Sequence, residues 1–232
     1  MSQNKLKRFA ELHAFPNVIE AGFEEVFSSN HPIKGKWLED KFHNNHPIVI
    51  ELGCGKGEYT FNLAEKFPNK NFIGVDIKGN RIWVGAKKVI EKGLKNAMFL
   101  RTRIEFITSF FAINEVDEIW ITFPDPQENR TRRRNRLTSS VFLKRYKSFL
   151  KPNAIIHLKT DNDKLFDYTL RLAQTNQFKI YLSTFDLYNS NQAELTHSIK
   201  TYYENIFLAE GKPIHYLQFS LNNSETIDEP EE

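Results

Sequence analysis

Between residues 47 and 220 short apolar runs alternate with longer amphipathic stretches, and this order constrains the fold more than any other feature of the chain. Parallel strands can be neighbours only if a crossover of about a dozen or more residues, usually a helix, returns the chain to the same edge, so strand-helix alternation is the mark of a mostly parallel sheet. Ile48-Val-Ile-Glu-Leu52 reads as the first strand, with the near-continuous apolar character of a strand covered on both faces. Residues 59–67 read as the helix after it, with Phe61, Leu63, Ala64 and Phe67 available for its buried face. Further strands are expected at 71–75, 97–100, 116–123, 154–158, 178–185 and 214–220, and helices at 81–92, closed by Gly93, at 140–150 and at 163–173. The predicted architecture is therefore α/β: a Rossmann-like, seven-stranded, mostly parallel sheet with helices on both faces, spanning residues 47–221. Residues 1–46, punctuated by Pro16 and Pro32 and containing Trp37-Leu38, read as an N-terminal arm packing on that domain. The acidic stretch 222–232 offers almost nothing to bury and is expected to be disordered.

Composition narrows the function. With 40% hydrophobic and 26% charged residues the chain has neither the low hydrophobicity nor the one-sided charge of a disordered protein. No run approaches the roughly 18 apolar residues of a spanning helix, and Met1-Ser-Gln-Asn-Lys-Leu-Lys-Arg8 lacks the apolar core of a secretory signal, so a cytoplasmic protein without membrane attachment is expected. A single cysteine, Cys54, excludes an internal disulfide and a cysteine-rich metal site, and the seven histidines are scattered, so no metal is expected. The net charge of +3 conceals an uneven distribution: five acids and no base lie in 222–232, which leaves 32 − 24, or +8, on the rest. Between Arg130 and Lys147 stand eight bases and no acid, enough positive potential to attract a polyanion, although a solvated surface run has the same composition.

The first strand runs into Gly53-Cys-Gly55-Lys-Gly57, a G-x-G-x-G turn that lets a ligand approach the backbone. A dinucleotide fingerprint would place its third glycine at position 58, which is Glu58. Asp76 ends the second strand, where a carboxylate can accept both hydroxyls of a ribose, and Glu51 can face a cationic group. Glycines, Glu51 and Asp76 together suit a nucleoside with a positive group and no phosphate, which describes S-adenosylmethionine. Cys54 reads as a small residue filling the turn.

The fourth strand runs straight into Phe123-Pro-Asp-Pro126, which would set Asp125 between two rigid residues at the carboxyl edge of the sheet, beside the cofactor. Alone, the tetrapeptide is equally a proline-bounded turn. The run Arg130-Thr-Arg-Arg-Arg-Asn-Arg136 follows at once and places phosphate-binding groups, Arg130, Arg133 and Arg134 among them, around the same mouth. Here the chain resembles the bacterial tRNA (guanine-N7)-methyltransferases, which modify position 46 in the variable loop. The resemblance is carried by Ile50-Glu-Leu-Gly-Cys-Gly-Lys-Gly57, Gly74-Val-Asp76, Phe123-Pro-Asp-Pro126, Arg133-Arg-Asn-Arg-Leu-Thr138, Leu158-Lys-Thr-Asp161 and Thr201-Tyr-Tyr-Glu204. It implies the seven-stranded S-adenosylmethionine-dependent methyltransferase fold, S-adenosylmethionine as cofactor and tRNA as partner, with the enzyme a monomer or homodimer. By resemblance Glu51 and Asp76 match cofactor-contacting positions, Asp125 the catalytic acid, and Asp161, Thr201 and Glu204 substrate-contacting positions. The chain departs from the family in carrying Gln127 and Asn129 where a Trp and a Lys are frequent, and Arg101-Thr-Arg-Ile-Glu105 where Asp or Asn often meets the adenine.

Residue by residue, other readings remain open. Thr201-x-x-Glu204 is also a helix capping box. Another RNA or a small molecule would make a different methyltransferase of the same fold, and a non-catalytic RNA-binding module is the reading from outside enzymes.

Overall fold

A computed structural model describes residues 3–27, 29–190 and 199–231. All five residues of Ile48–Leu52 (β2) are buried, as the strand's apolar composition requires. Ile48, Ile50 and Leu52 join the core on one face of the sheet and Val49 the core on the other, so Glu51 points to the same face as Val49. After β2 come Glu58–Lys66 (α3), Asn71–Asp76 (β3), Gly79–Glu91 (α4), Ala97–Arg101 (β4) and Val116–Thr122 (β5). The chain continues through Ser140–Lys147 (α5), Leu150–Thr160 (β6), Asp163–Thr175 (α6), Lys179–Thr184 (β7), Tyr202–Ala209 (α7) and His215–Ser220 (β8). All seven expected strands are present, and the fold is the α/β fold the sequence implies.

The sheet has eight strands, one more than expected, because Val18–Glu20 (β1) in the N-terminal region pairs with the edge strand β4. Three residues with one buried side chain carry no alternation that a sequence pattern can register. The first 20 residues also contribute a helix, Gln3–His13 (α1), and Phe23–Phe27 (α2) follows. The order is β1-β4-β3-β2-β5-β6-β8-β7, with β8 antiparallel to both its neighbours and the remaining pairs parallel. The helix expected over 140–150 stops at Lys147, since Leu150 already pairs with Val116 as the first residue of β6.

The acidic tail is packed, against the expectation of disorder. Ile227 is 3% exposed within the core cluster that α6 helps to form, and Asn176 brackets the neighbouring Asp228 by accepting from its N–H and donating to its carbonyl. Glu229 accepts from the Ser140 N–H at 3.0 Å and from the Tyr168 hydroxyl at 2.6 Å. One isoleucine in an otherwise polar and small segment of eleven residues is a weak compositional signal, yet a single buried apolar anchor with partnered acids suffices to seat a short segment.

Ile227→Ala removes that anchor. Truncation of a buried isoleucine costs about 2–5 kcal/mol, so a thermal melt should show a midpoint lower by roughly 5 °C or more. An unchanged midpoint would mean that the tail does not pack.

Candidate active site

The connections of β2 and β5 leave the sheet in opposite directions, one to β3 and β4, the other to β6. Their carboxyl ends thus frame the crevice in which ligands of open α/β sheets bind. Gly53, Gly55 and Gly57 all take positive φ values, of 75°, 56° and 69°. Gly53 and Cys54 donate their N–H groups to the Val75 carbonyl, which ties the loop to β3. A Cβ at Gly57 would lie 2.5 Å from the Phe99 ring, whereas one at Gly55 would meet nothing within 4 Å. Gly57 is therefore required by packing, and Gly55 presents open backbone to a ligand.

Asp76 closes over this loop. One of its carboxylate oxygens accepts from the Gly55 N–H at 2.9 Å and the other from the Lys78 N–H at 2.8 Å. Each oxygen keeps a second acceptor position. Glu51 is 4% exposed; its Oε2 accepts from the Thr60 N–H at 2.9 Å and the Thr60 hydroxyl at 2.5 Å, and its Oε1 from the Thr122 hydroxyl at 2.9 Å. Burial outweighs these hydrogen bonds and pushes the Glu51 carboxyl up to about 7. Burial likewise raises the Cys54 thiol well above its ordinary range, which leaves a filler of the turn rather than a nucleophile.

A cavity of about 110 Å³ opens here, bounded by Glu51, Gly53, Gly55, Tyr59, Phe123 and Thr201. Beyond Asp76 lies a second, larger depression of about 470 Å³ bordered by Ile77, Thr102 and Arg103. The smaller hollow is walled by the buried Glu51 carboxylate, and the larger begins at Ile77, the residue after Asp76.

On the opposite wall, Phe123 and Gln127 adopt left-handed φ values of 48° and 46°, a strained conformation for residues with side chains. The Phe123 N–H donates to the Lys159 carbonyl at 2.8 Å and the Gln127 N–H to the Asp125 carboxylate at 3.0 Å. Asp125 is exposed and stands outside the walls of the small cavity, two residues past Phe123 at its rim. Arg136 donates through Nε to the Pro126 carbonyl at 3.0 Å and lies 4.4 Å over the Tyr168 ring. At 6% exposure it braces the turn rather than offering a surface charge. Arg132 and Arg134 are exposed and Arg133 is half-buried in the short helix Arg130–Asn135, which begins when the Asn129 side chain accepts from the Thr131 N–H. The Arg130 side chain lies outside the described residues. Asp161 is half-buried just beyond β6.

Thr201 and Glu204 form a complete capping box at the start of α7, and Thr201 reaches the cavity wall. Glu204 does not. It is fully buried, with Oε1 2.6 Å from the Lys159 ammonium and 2.5 Å from the Tyr188 hydroxyl, and Oε2 accepting from the Thr201 N–H. Among the described residues, the partners of its carboxylate are Lys159, Tyr188 and Thr201, all within the protein. Sequence reasoning missed Lys159, 0% exposed in β6; the available signal was a lysine inside an apolar strand run.

The raised Glu51 carboxyl has a consequence for stability. The unfolded chain releases this proton near 4.5 and the folded chain near 7, so between those values the folded state binds more protons and stability falls as pH rises. Glu51→Gln keeps the hydrogen-bonding shape of the protonated acid and removes this slope. At pH 8 the ligand-free variant should melt above the wild type by roughly 5 °C, for a difference on the order of 2–3 kcal/mol, and the gap should narrow at pH 5. Parallel melting curves for the two proteins across this range would contradict it.

Comparison with known proteins places this geometry. Residues 45–217 match a family described as "Putative methyltransferase". The chain is 48% identical over 231 residues to a tRNA (guanine-N(7)-)-methyltransferase of Bacteroides thetaiotaomicron, covering 100% of this chain and 91% of that one. It is 52% identical over 222 residues to the protein of the same name from Christiangramia forsetii, covering 95% and 99%. Among solved structures the 16S rRNA methyltransferase KamB superposes with a TM-score of 0.60 at 14% identity, over 84% of this chain and 95% of that one, a likeness of fold. With a methyltransferase fold, an open glycine loop between two acids and near-half identity along its whole length, the chain belongs to the tRNA (guanine-N(7)-)-methyltransferase family.

Proposed function

We propose that this protein methylates N7 of the guanine at position 46 in the variable loop of tRNA, with S-adenosylmethionine as methyl donor, in the cytoplasm. The carrying observation is the open glycine loop held between buried Glu51 and Asp76, facing the Phe-Pro-Asp-Pro turn. When bound there, S-adenosylmethionine supplies a methyl group on a positively charged sulfur. Gly53 and Gly55 admit its backbone-hugging side, Asp76 accepts from the ribose hydroxyls, and Glu51 offsets the cationic amino-acid end. Ile77, Thr102 and Arg103 border the hollow left for the adenine.

Guanine N7 carries a lone pair and no proton, so no base is needed to create the nucleophile, and alignment dominates the rate. A bound S-adenosylmethionine would give up its methyl to N7 and keep the electron pair of the methyl–sulfur bond, so the positive charge would come to lie on the guanine ring. Asp125, exposed at the rim on a rigid turn, accepts from the guanine edge and offsets that charge. Arg133 and Arg134, and Arg130 beside them, hold the RNA backbone, with Asp161 and Thr201 toward the substrate side. Asn129, where the family often has a lysine, caps the short helix through its Oδ1.

The test is nuclease digestion and mass spectrometry of unmodified tRNA transcripts incubated with the protein and S-adenosylmethionine. 7-Methylguanosine should appear in the variable-loop fragment. Asp125→Ala should abolish it while cofactor affinity stays within a few fold, and unimpaired turnover would remove Asp125 from the mechanism. Affinity for tRNA should fall on the order of tenfold or more between 50 and 200 mM salt, as several phosphate contacts require.

A further inference from the structure

The Lys159 side chain has no place in the cofactor or RNA contacts above, yet it joins segments distant in sequence. Its ammonium lies 2.6 Å from Glu204 Oε1, 3.4 Å from both the Tyr188 hydroxyl and the Ile199 carbonyl, and 5.3 Å from the centre of the Tyr59 ring. Lysine and glutamate are both 0% exposed. Replacing a buried ion pair with apolar residues is often neutral or stabilising, so stability alone does not account for one here; a defined placement of the elements it joins does.

Those elements are the two walls of the cavity. The Lys159 carbonyl accepts from the Phe123 N–H and so secures the left-handed residue that opens the Phe-Pro-Asp-Pro turn. Its ammonium secures Glu204, whose Oε2 in turn accepts from the N–H of Thr201. Phe123, Thr201 and Tyr202 all border the cavity, and Phe123 packs against Phe207 of α7 with ring centres 5.6 Å apart. From the glycine-loop side, Glu58 accepts from the Tyr202 N–H at 2.6 Å and the Lys56 ammonium lies 4.9 Å over the Tyr202 ring. The amino end of α7 is thus gripped on one side by β6 and on the other by the loop that receives the cofactor.

We propose that Lys159 is a positioning residue for methyl transfer, holding the amino end of α7 and the Phe-Pro-Asp-Pro turn at their working separation through its buried pair with Glu204. The inference rests on the reading that this cavity takes the amino-acid end of S-adenosylmethionine. A shift of about 1 Å in a wall that aligns reacting groups is enough to cost a large factor in rate.

Lys159→Met alone leaves Glu204 buried without its cation and is expected to melt well below the wild type, so the decisive variant is Lys159→Met with Glu204→Gln. Glutamine keeps one oxygen to accept from the Thr201 N–H and turns its amide NH2 toward the Tyr188 hydroxyl, which accepts in place of donating, and no charge is stranded. This double variant should melt within a few degrees of the wild type. Amide hydrogen exchange in the peptide containing Tyr202 should accelerate at least tenfold while peptides of β3 stay unchanged. Affinity for S-adenosylhomocysteine by calorimetry, and kcat with tRNA, should each fall on the order of tenfold, with KM for tRNA within a few fold. Wild-type exchange, affinity and kcat in the folded double variant would overturn the proposal, as would faster exchange with affinity and kcat unchanged. If the wild type binds S-adenosylhomocysteine but methylates no tRNA, the proposed function fails, while exchange and affinity still decide whether Lys159 sets the wall.

Discussion

The structure depends on how β2 ends. A strand buried on both faces must stop at the surface of the sheet, and this one stops in three glycines whose positive φ angles fold the chain back so that Gly53 and Cys54 hydrogen-bond to β3. That turn sets Gly55 under Asp76, starts α3 at Glu58, and so brings the Thr60 hydroxyl and N–H onto Glu51. A side chain at Gly57 would collide with Phe99 of β4, so the loop is fixed by the core behind it as well as by its own backbone. The open face of this loop is thereby an extension of the core packing, and preorganisation of this kind lowers the cost of aligning reactants.

The opposite wall is built from sequence-distant parts. The Phe-Pro-Asp-Pro turn holds two strained residues, and strain persists only where neighbours overdetermine it. Here Lys159 accepts from Phe123, Asp125 accepts from Gln127, and Arg136 donates to Pro126. Arg136 is in turn stacked on Tyr168, whose hydroxyl donates to Glu229. A chain of contacts therefore runs from the acidic tail through α6 to the turn that carries Asp125. The charge in the basic run is accordingly divided: Arg136 is spent on architecture, whereas Arg132 and Arg134 remain at the surface.

What the sequence made legible was local. The alternation of strands and helices, the glycine turn, Asp76 at the end of β3 and the capping box at Thr201 each reside within a few neighbouring residues, and each is where the pattern puts it. Features that depend on tertiary partners were not legible. β1 is a strand only because β4 offers it an edge; Ile227 is core only because α6 and its neighbours leave room. Arg136 and Lys159 resemble any other basic residue until their surroundings are known. No periodicity distinguishes a lysine that reaches solvent from one that ends on a carboxylate 45 positions later in the chain.

Glu51 and Glu204 show most directly why a list of acids does not make a site. Both lie on the crevice side of the fold, both are buried, and both accept from a threonine N–H. Glu204 has its cation, Lys159, within the protein, 2.6 Å from Oε1. Glu51 has hydroxyls and an amide as its hydrogen-bond partners, and burial drives its carboxyl to about 7. An acid in that state gains from any positive charge that enters the adjoining cavity, because the ligand supplies the Coulombic partner that folding did not. A cation beside Glu51 would favour its charged form, whereas Glu204 already has its cation inside the fold. Capacity for a cationic ligand follows from which buried carboxylate was left uncompensated, a property of three-dimensional placement that two identical side chains do not share.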